Sequence, residues 1–384
     1  MRGKFAETLS NRPYTQIHVA GRGFVGFADG IADEFWGVYR HRIFNGSRLS
    51  LGRLAAQWRY WSLLQHLRPD VVVVHAPELL PATLLWQWLG HGRRFLYDIR
   101  ENYALNVSTQ QVYQGRTRRW LAAGLRWVET QAARRAAGLI LAEASYADEL
   151  PFLAELPAGR VVVLENKYQP APTENLPTQA RPLPAPTETL QLLYSGTISE
   201  LNGVWEAMAL TEQLRDAWPG GAHLTIIGFC QQPALLRALE AKVATLPVLF
   251  TLIGGATLVP HAEIVAAIGR SHLGLMPYRP HPSTARCRPT KLFEYLAHGL
   301  PIIASPNVLW HELLHKHGAG WQLNFAAPID APTFVMQLQQ QVFYPLGIPT
   351  DVLWADEGKK LWHLLDSLVK PATFAPLLRA TSPL

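Results

Sequence analysis

Apolar runs of four to seven residues alternate along this chain with longer stretches of helical periodicity. In the second half the runs are Thr189–Ser195, His223–Gly228, Val248–Gly254, Leu273–Tyr278 and Pro301–Ser305. Strands buried on both faces read this way, without polar alternation. Helical stretches separate them, the first from Gly203 to Trp218. The first half repeats the rhythm with strands at Gln16–Gly21, Val71–Val74, Arg94–Ile99, Gly138–Glu143 and Val161–Leu164. Its helices are expected at Arg2–Leu9, Leu51–Leu67, Leu79–Leu89 and Arg116–Ala136, the last with Trp120, Leu125 and Val128 toward the core. Such alternation predicts an α/β protein with doubly wound parallel sheets and right-handed crossovers. Residues 168–189 interrupt it with a proline-rich, aperiodic stretch that reads as a semi-extended linker. The predicted organisation is therefore a domain over 1–167, a linker over 168–189, a second domain over 190–345, and a tail over 346–384. An amphipathic helix, Asp351–Val369, is expected in that tail and to cross back to the first domain.

The most informative stretch runs from Leu273 to Ser305: strand, polar loop, helix, Gly-Pro turn, strand. Thr290 is the candidate N-cap of the helix, and Leu292, Phe293, Leu296 and Ala297 form its apolar side. Gly299 ends it. Lys291 and Glu294, three residues apart, share one face near the helix N-terminus and beside the C-terminal edge of a strand. In open parallel sheets that edge is where ligands sit, and helix N-termini favour anions. A lysine there can neutralise phosphate, and a glutamate can accept hydrogen bonds from two sugar hydroxyls. The plainer alternative is a solvated ion pair on a surface helix, which is common and weak. Gly196-Thr197 stands where another strand gives way to a helix, and backbone N–H groups there could meet a diphosphate.

Pro289–Ser305, PTKLFEYLAHGLPIIAS, resembles the nucleotide-sugar signature of retaining GT-B glycosyltransferases of family 4. The resemblance implies two Rossmann-like domains facing across a cleft. It also implies transfer of a hexose from a nucleotide diphosphate sugar to a glycan or lipid-linked acceptor, with retention and without a bound metal or other cofactor. Glu294 would hold the nucleotide ribose, and Lys291 with Arg288 would neutralise the leaving diphosphate. Gly196, Thr197, Gly228, Tyr278 and Leu292 would complete the donor site. Asp98-Ile-Arg100-Glu101 resembles the Y-D-x-H-E loop of the same family, with Arg100 where histidine is usual. Arg100 and Glu101 are accordingly candidates in the cleft, or members of a structural ion cluster with Asp98. The chain departs from the family in three further places. Arg286 stands where the first of two spaced glutamates is expected; Thr197 and Asn202 replace an arginine and a lysine; and the opening does not show the family's usual first strand and glycine-containing loop, so that either the start is late or the first domain lacks them. Those departures favour a rival reading, a non-catalytic GT-B scaffold or regulator in polysaccharide assembly. A third reading, a nucleotide-sugar epimerase, needs acidic residues deep in the cleft.

Composition narrows the setting. The chain has 384 residues with 48% hydrophobic and 17% charged, enough for two well-filled cores. Its two cysteines imply no disulfide framework and suit a reducing cytoplasm. No apolar run reaches the ~20 residues of a spanning helix. The net charge of +6 lies in the first half, where residues 1–165 carry 20 Lys/Arg against 14 Asp/Glu. That excess suits contact with an anionic membrane face or a lipid-phosphate acceptor. Nucleic acid is not expected, because no recognised binding motif is present. Gly21, Gly23, Gly26 and Gly30 form a glycine-rich loop without a clean phosphate-binding pattern, and a plain turn is the expectation. His311 and His315 share a helical face but lack the intervening glutamate order of a zinc motif, so ordinary surface histidines are expected.

Overall fold

The structure, a computed structural model, describes residues 4–13, 15–22, 32–33, 37–44, 52–104, 107, 115–157 and 159–369. The glycine-rich loop at Gly23, Gly26 and Gly30 lies outside the described residues. The chain divides into two compact units, residues 1–165 with 355–384 and residues 166–354.

Among the described residues the first unit holds two sheets. Strands β1 (Ile17–Arg22), β2 (Ala32–Asp33) and β3 (Val38–Phe44) form one, with β1 parallel and β2 antiparallel to β3. Strands β4 (Val71–Val74), β5 (Arg94–Ile99), β6 (Gly138–Leu141) and β7 (Val161–Val163) form the other, all parallel and in chain order. Right-handed crossovers between strands in that order put their helices on one side of the sheet. Those helices are Leu80–Trp88 and Gly115–Arg135, and they pack against each other. A third helix, Gly52–Leu67, packs on β3 and against Leu80–Trp88. Phe95, Tyr97 and Ile99 of β5, Leu139 and Leu141 of β6, and Ala132 and Ala133 of the long helix make the core. The strand Val38–Phe44 escapes the apolar pattern because its two buried residues, Val38 and Ile43, are five apart and three basic residues lie between them. Trp120, expected in the core, is 77% exposed; the long helix turns Ala132, Ala133 and Glu129 inward instead. Helix Ala355–Leu368 belongs to this unit and lies against helix Lys4–Ser10, with Trp362 Nε1 donating to the carbonyl of Thr8 at 3.0 Å.

The second unit is one six-stranded parallel sheet, β8 (Leu190–Ile198), β9 (Ala222–Cys230), β10 (Phe250–Gly255), β11 (Leu273–Met276), β12 (Ile302–Ala304) and β13 (Gly320–Gln322), in the order β10-β9-β8-β11-β12-β13. The order reverses between β8 and β11. Along β8, Leu190, Leu192 and Tyr194 enter one apolar cluster and Leu193 the opposite one, so both faces are covered. Residues 168–189 form no helix and no strand, yet they are fixed to this unit. Tyr168 is buried, its N–H donates to Val352 and its carbonyl accepts from Trp354, while the Arg181 N–H donates to Gly299. No helix among the described residues is long and apolar enough to cross a membrane.

Candidate functional site

The strand order reverses between β8 and β11, and in an open parallel sheet the C-terminal ends of the strands at such a reversal are the usual ligand position. Helix Thr290–Ala297 brings two charged residues there. Pro289, not Thr290, is its N-cap, with an extended backbone (ψ 145°) and a carbonyl that accepts from Leu292 N–H. Proline fixes φ near the value needed at the entrance to a helix and has no N–H to leave unpaired. Thr290 is the first helical residue, and its hydroxyl accepts from Asn166 Nδ2 at 2.6 Å. Every residue from Lys291 to Ala297 is buried, so the pair is no solvated surface bridge.

Lys291 is 8% exposed, and its ammonium makes no hydrogen bond among the described residues. It rests between two aromatic rings, 4.8 Å from the centroid of Tyr194 and 5.2 Å from that of Tyr278. Cation–π attraction offsets part of the desolvation, but it supplies no acceptor for the three N–H donors. Burial pushes the pKa down to about 8, against a partial upward pull from Glu294. The lysine stem covers Gly196, where a Cβ would stand 3.6 Å from Cε. Gly196 adopts φ +95°, and a Cβ on the neighbouring Gly228 would fall 1.7 Å from the Gly196 carbonyl oxygen. The two glycines therefore let the ends of β8 and β9 close tightly beneath the cation. The strand runs on through Thr197 to Ile198, so Gly196-Thr197 is the end of the sheet rather than a loop, and the helix begins only at Val204. Thr197 is exposed, and its carbonyl accepts from Tyr194 Oη and Asn202 Nδ2, each at 3.0 Å.

Glu294 is 6% exposed and pairs through Oε1 with His261 Nε2 at 2.5 Å. That hydrogen bond raises the His261 pKa. Behind them, His298 Nδ1 meets the Glu294 carbonyl at 2.7 Å and its Nε2 lies 3.2 Å from Glu174, which accepts from Tyr168 Oη at 2.5 Å. His261, Glu174 and His298 carry no pattern in the sequence that marks them as part of a site. Pro260-His261 opens a helix after the glycine pair ending β10, a signal too common to stand out.

The other candidates fall in different places. Tyr278 is buried edge-on to Trp310, with ring centroids 5.1 Å apart, and joins the site through Lys291. Leu292 is fully buried in the apolar core. Arg288 is directed to Glu312, with Nη2 to Oε2 at 3.2 Å. Arg100 and Glu101 belong to the first unit. There Asp98, 1% exposed, accepts from Arg100 Nε at 2.7 Å and meets His75 Nδ1 at 2.5 Å. Burial would raise the Asp98 pKa, but these two partners hold it below its ordinary value. Glu101 is exposed. The rings of His311 and His315 are tilted by 32° with centroids 5.8 Å apart, and no group of three metal-binding side chains occurs among the described residues.

Residues 16–167 match the family model of the glycosyl transferase 4-like domain. No curated protein matches the sequence. Among solved structures, a sucrose-phosphate synthase from Thermosynechococcus elongatus is similar, with 14% identity, a TM-score of 0.65, and cover of 95% of this chain and 91% of the other. WaaG, a glycosyltransferase involved in lipopolysaccharide biosynthesis, is 14% identical with a TM-score of 0.58, covering 93% and 89%. A glycosyltransferase from Rickettsia africae is 12% identical with a TM-score of 0.54, covering 88% and 87%. These likenesses show the GT-B fold for the chain, with two Rossmann-like domains.

Proposed function

We propose that this chain is a glycosyltransferase that moves a hexose from a nucleoside diphosphate sugar to a glycan or lipid-linked acceptor in the synthesis of a cell-surface polysaccharide. One observation carries the reading: a buried lysine without a hydrogen-bond acceptor, at the switch point of a parallel sheet, beside a buried carboxylate. A cation left this way costs free energy until an anion arrives. The diphosphate of the donor has the right charge, and the Glu294 carboxylate, steadied by His261, supplies acceptor oxygens for ribose hydroxyls. When the sugar–oxygen bond breaks, charge grows on the leaving diphosphate. A preorganised ammonium in a water-poor site stabilises that charge by about 3 kcal/mol. Attack on the same face of the sugar, with donor phosphate oxygen taking the acceptor proton, gives retention without an enzymic nucleophile or a metal.

A second reading, donor binding without transfer, is favoured by one specific feature. Arg288, a candidate partner of Lys291, is directed to Glu312. Melting shifts with UDP-, GDP- and ADP-sugars, followed by donor hydrolysis and transfer assays, separate the two. A donor that stabilises wild type but not Lys291→Met supports the site, and turnover of that donor supports transfer. Stabilisation without turnover selects the second reading. No stabilisation by any donor removes both.

A further inference from the structure

We infer that the outward side of three packed helices in the first unit, Gly52–Leu67, Leu80–Trp88 and Gly115–Arg135, is a docking face for the surface of an anionic lipid bilayer. The face shows in the burial of the tryptophans. Trp58 is 73% exposed, Trp88 73%, Trp120 77% and Trp127 64%, and Leu85 and Leu89 are half exposed. Tryptophans are large enough to find cover in most folds, and single exposed apolar residues need no explanation. Here they are grouped. Trp120 and Trp127 are seven apart, two turns along one helix face, with exposed Ala123 and Gly124 between them. Leu85, Trp88 and Leu89 follow the i, i+3, i+4 spacing on the next helix, which packs between the other two. Trp58 stands on the third.

Charge chooses the occupant. The three helices hold eight arginines and one acidic residue. That acid, Glu129, is fully buried beneath the long helix and accepts from Tyr97 Oη at 2.8 Å. Arg126 is turned toward Asn102 and Arg134 pairs with Glu155, while Arg59, Arg119 and Arg135 remain exposed beside the tryptophans. Among the described residues, the outward side of these three helices therefore presents indole, leucine and guanidinium, and no carboxylate of the helices themselves faces outward. A second copy of this chain fits it poorly, because a two-fold contact would set arginine against arginine. An anionic bilayer fits both components. Indole rings settle at the headgroup level, and each arginine near a negative leaflet gains about fivefold in binding. The arrangement does not depend on the transfer reaction, although an acceptor carried on a lipid would be presented at such a surface.

The test is cosedimentation of the full chain with vesicles of phosphatidylcholine alone and of phosphatidylcholine mixed with phosphatidylglycerol. Wild type is expected to bind the mixed vesicles on the order of 100-fold more tightly than the neutral ones, and to lose that preference at high salt. Arg59→Gln/Arg119→Gln/Arg135→Gln is expected to bind the mixed vesicles on the order of 100-fold more weakly. Trp58→Ala/Trp88→Ala/Trp120→Ala/Trp127→Ala is expected to lose binding by about tenfold or more to both kinds of vesicle, at an unchanged melting temperature. In unsubstituted protein, bromine-labelled lipid should quench part of the tryptophan fluorescence, a readout that needs no variant to fold. Vesicle binding that is absent, or that is equal in wild type and both variants, overturns the proposal. So does a dimer seen by light scattering that the tryptophan variant dissolves while wild type ignores vesicles. Donor-induced melting shifts on the same variants should match wild type, so failure of the docking face leaves the donor site untouched, and the reverse.

Discussion

Each unit places a buried charge at the C-terminal end of its parallel sheet, and the two charges are treated differently. In the first unit Asp98 is 1% exposed and is fully met by its own chain, with His75 on one side and Arg100 on the other. In the second, Lys291 is comparably buried and has two aromatic rings but no hydrogen-bond acceptor. Taking a charge out of water costs several kcal/mol, which a chain offsets by supplying a counter-charge. The first unit does so internally, so its cluster is complete when folding is complete. The second leaves the balance to an anion from outside. A completed ion cluster says little about function, whereas an uncompleted one identifies both a site and the charge of its ligand.

The contrast is broken most directly by replacing each charge with a neutral group of similar shape. Lys291→Met should weaken donor binding by about 100-fold or more, which is ~3 kcal/mol, and should not lower the melting temperature of the ligand-free protein, because a desolvated cation is being removed. Titration calorimetry and a melting scan on one preparation measure both. Asp98→Ala should do the reverse. It strands two basic side chains that are themselves partly exposed, so a loss of about 2 kcal/mol in denaturant stability is expected, with donor affinity retained. A lysine variant that unfolds, or an aspartate variant that loses the donor, would show that the two clusters had been assigned the wrong way round.

Sequence pattern makes the second unit more legible than the first, for physical reasons. Strands buried on both faces are apolar throughout, so β8 to β12 stand out and their ends shift by at most three residues. Helix Thr290–Ala297 is legible because a proline precedes it and a glycine follows it. In the first unit, β3 carries Arg40, His41 and Arg42 in a half-exposed strand, and neither periodicity rises above the other. Trp120 misleads for the opposite reason: hydrophobicity suggests an inward position, and only the packing of Ala132 and Ala133 against β5 and β6 sets the rotation of that helix. Lys291 and Glu294 are readable as a pair from their spacing. The absence of an acceptor for Lys291 and the His261 partner of Glu294 depend on strands and helices distant in sequence.

The pH dependence of donor binding sharpens the contrast further. Burial lowers the Lys291 pKa from 10.5, the value of a free side chain, to about 8 in the folded protein. Above about pH 8 the free site is increasingly neutral and must take up a proton to hold the diphosphate. Donor affinity should then fall by about tenfold per pH unit between 8 and the higher pKa of the complex. The ligand-free fold should respond the other way, since a depressed lysine pKa means that this residue's contribution to stability grows as pH rises from 8 toward 10.5. Calorimetry at pH 8.5 in two buffers of different ionisation enthalpy should register proton uptake on donor binding, and Lys291→Met should abolish it.

The smallest effect concerns His261. Its pKa is raised, first by the hydrogen bond to Glu294 and then by the charge of that carboxylate, against the cost of burial. A raised histidine pKa stabilises the fold fully below the unfolded value of 6.5, and that contribution disappears as pH climbs through the folded value. Because the His261 side chain is 52% exposed, solvent screens the pair and the contribution should stay under about 1 kcal/mol. Other groups face the same carboxylate and its helix. His298 is itself shifted upward, since burial is outweighed by Glu174 and the Glu294 carbonyl, while Glu174 is shifted downward as burial yields to His298 and Tyr168. Wild type alone would therefore mix several titrations. His261→Gln keeps a hydrogen-bond donor for Glu294 and removes only the charge, so subtracting its stability profile between pH 5 and 9 from that of wild type isolates the pair. A difference confined to the acid side of that range fits a structural partner that steadies Glu294. A flat difference, with donor affinity reduced in the same variant, would move His261 from supporting the carboxylate to contacting the nucleoside itself.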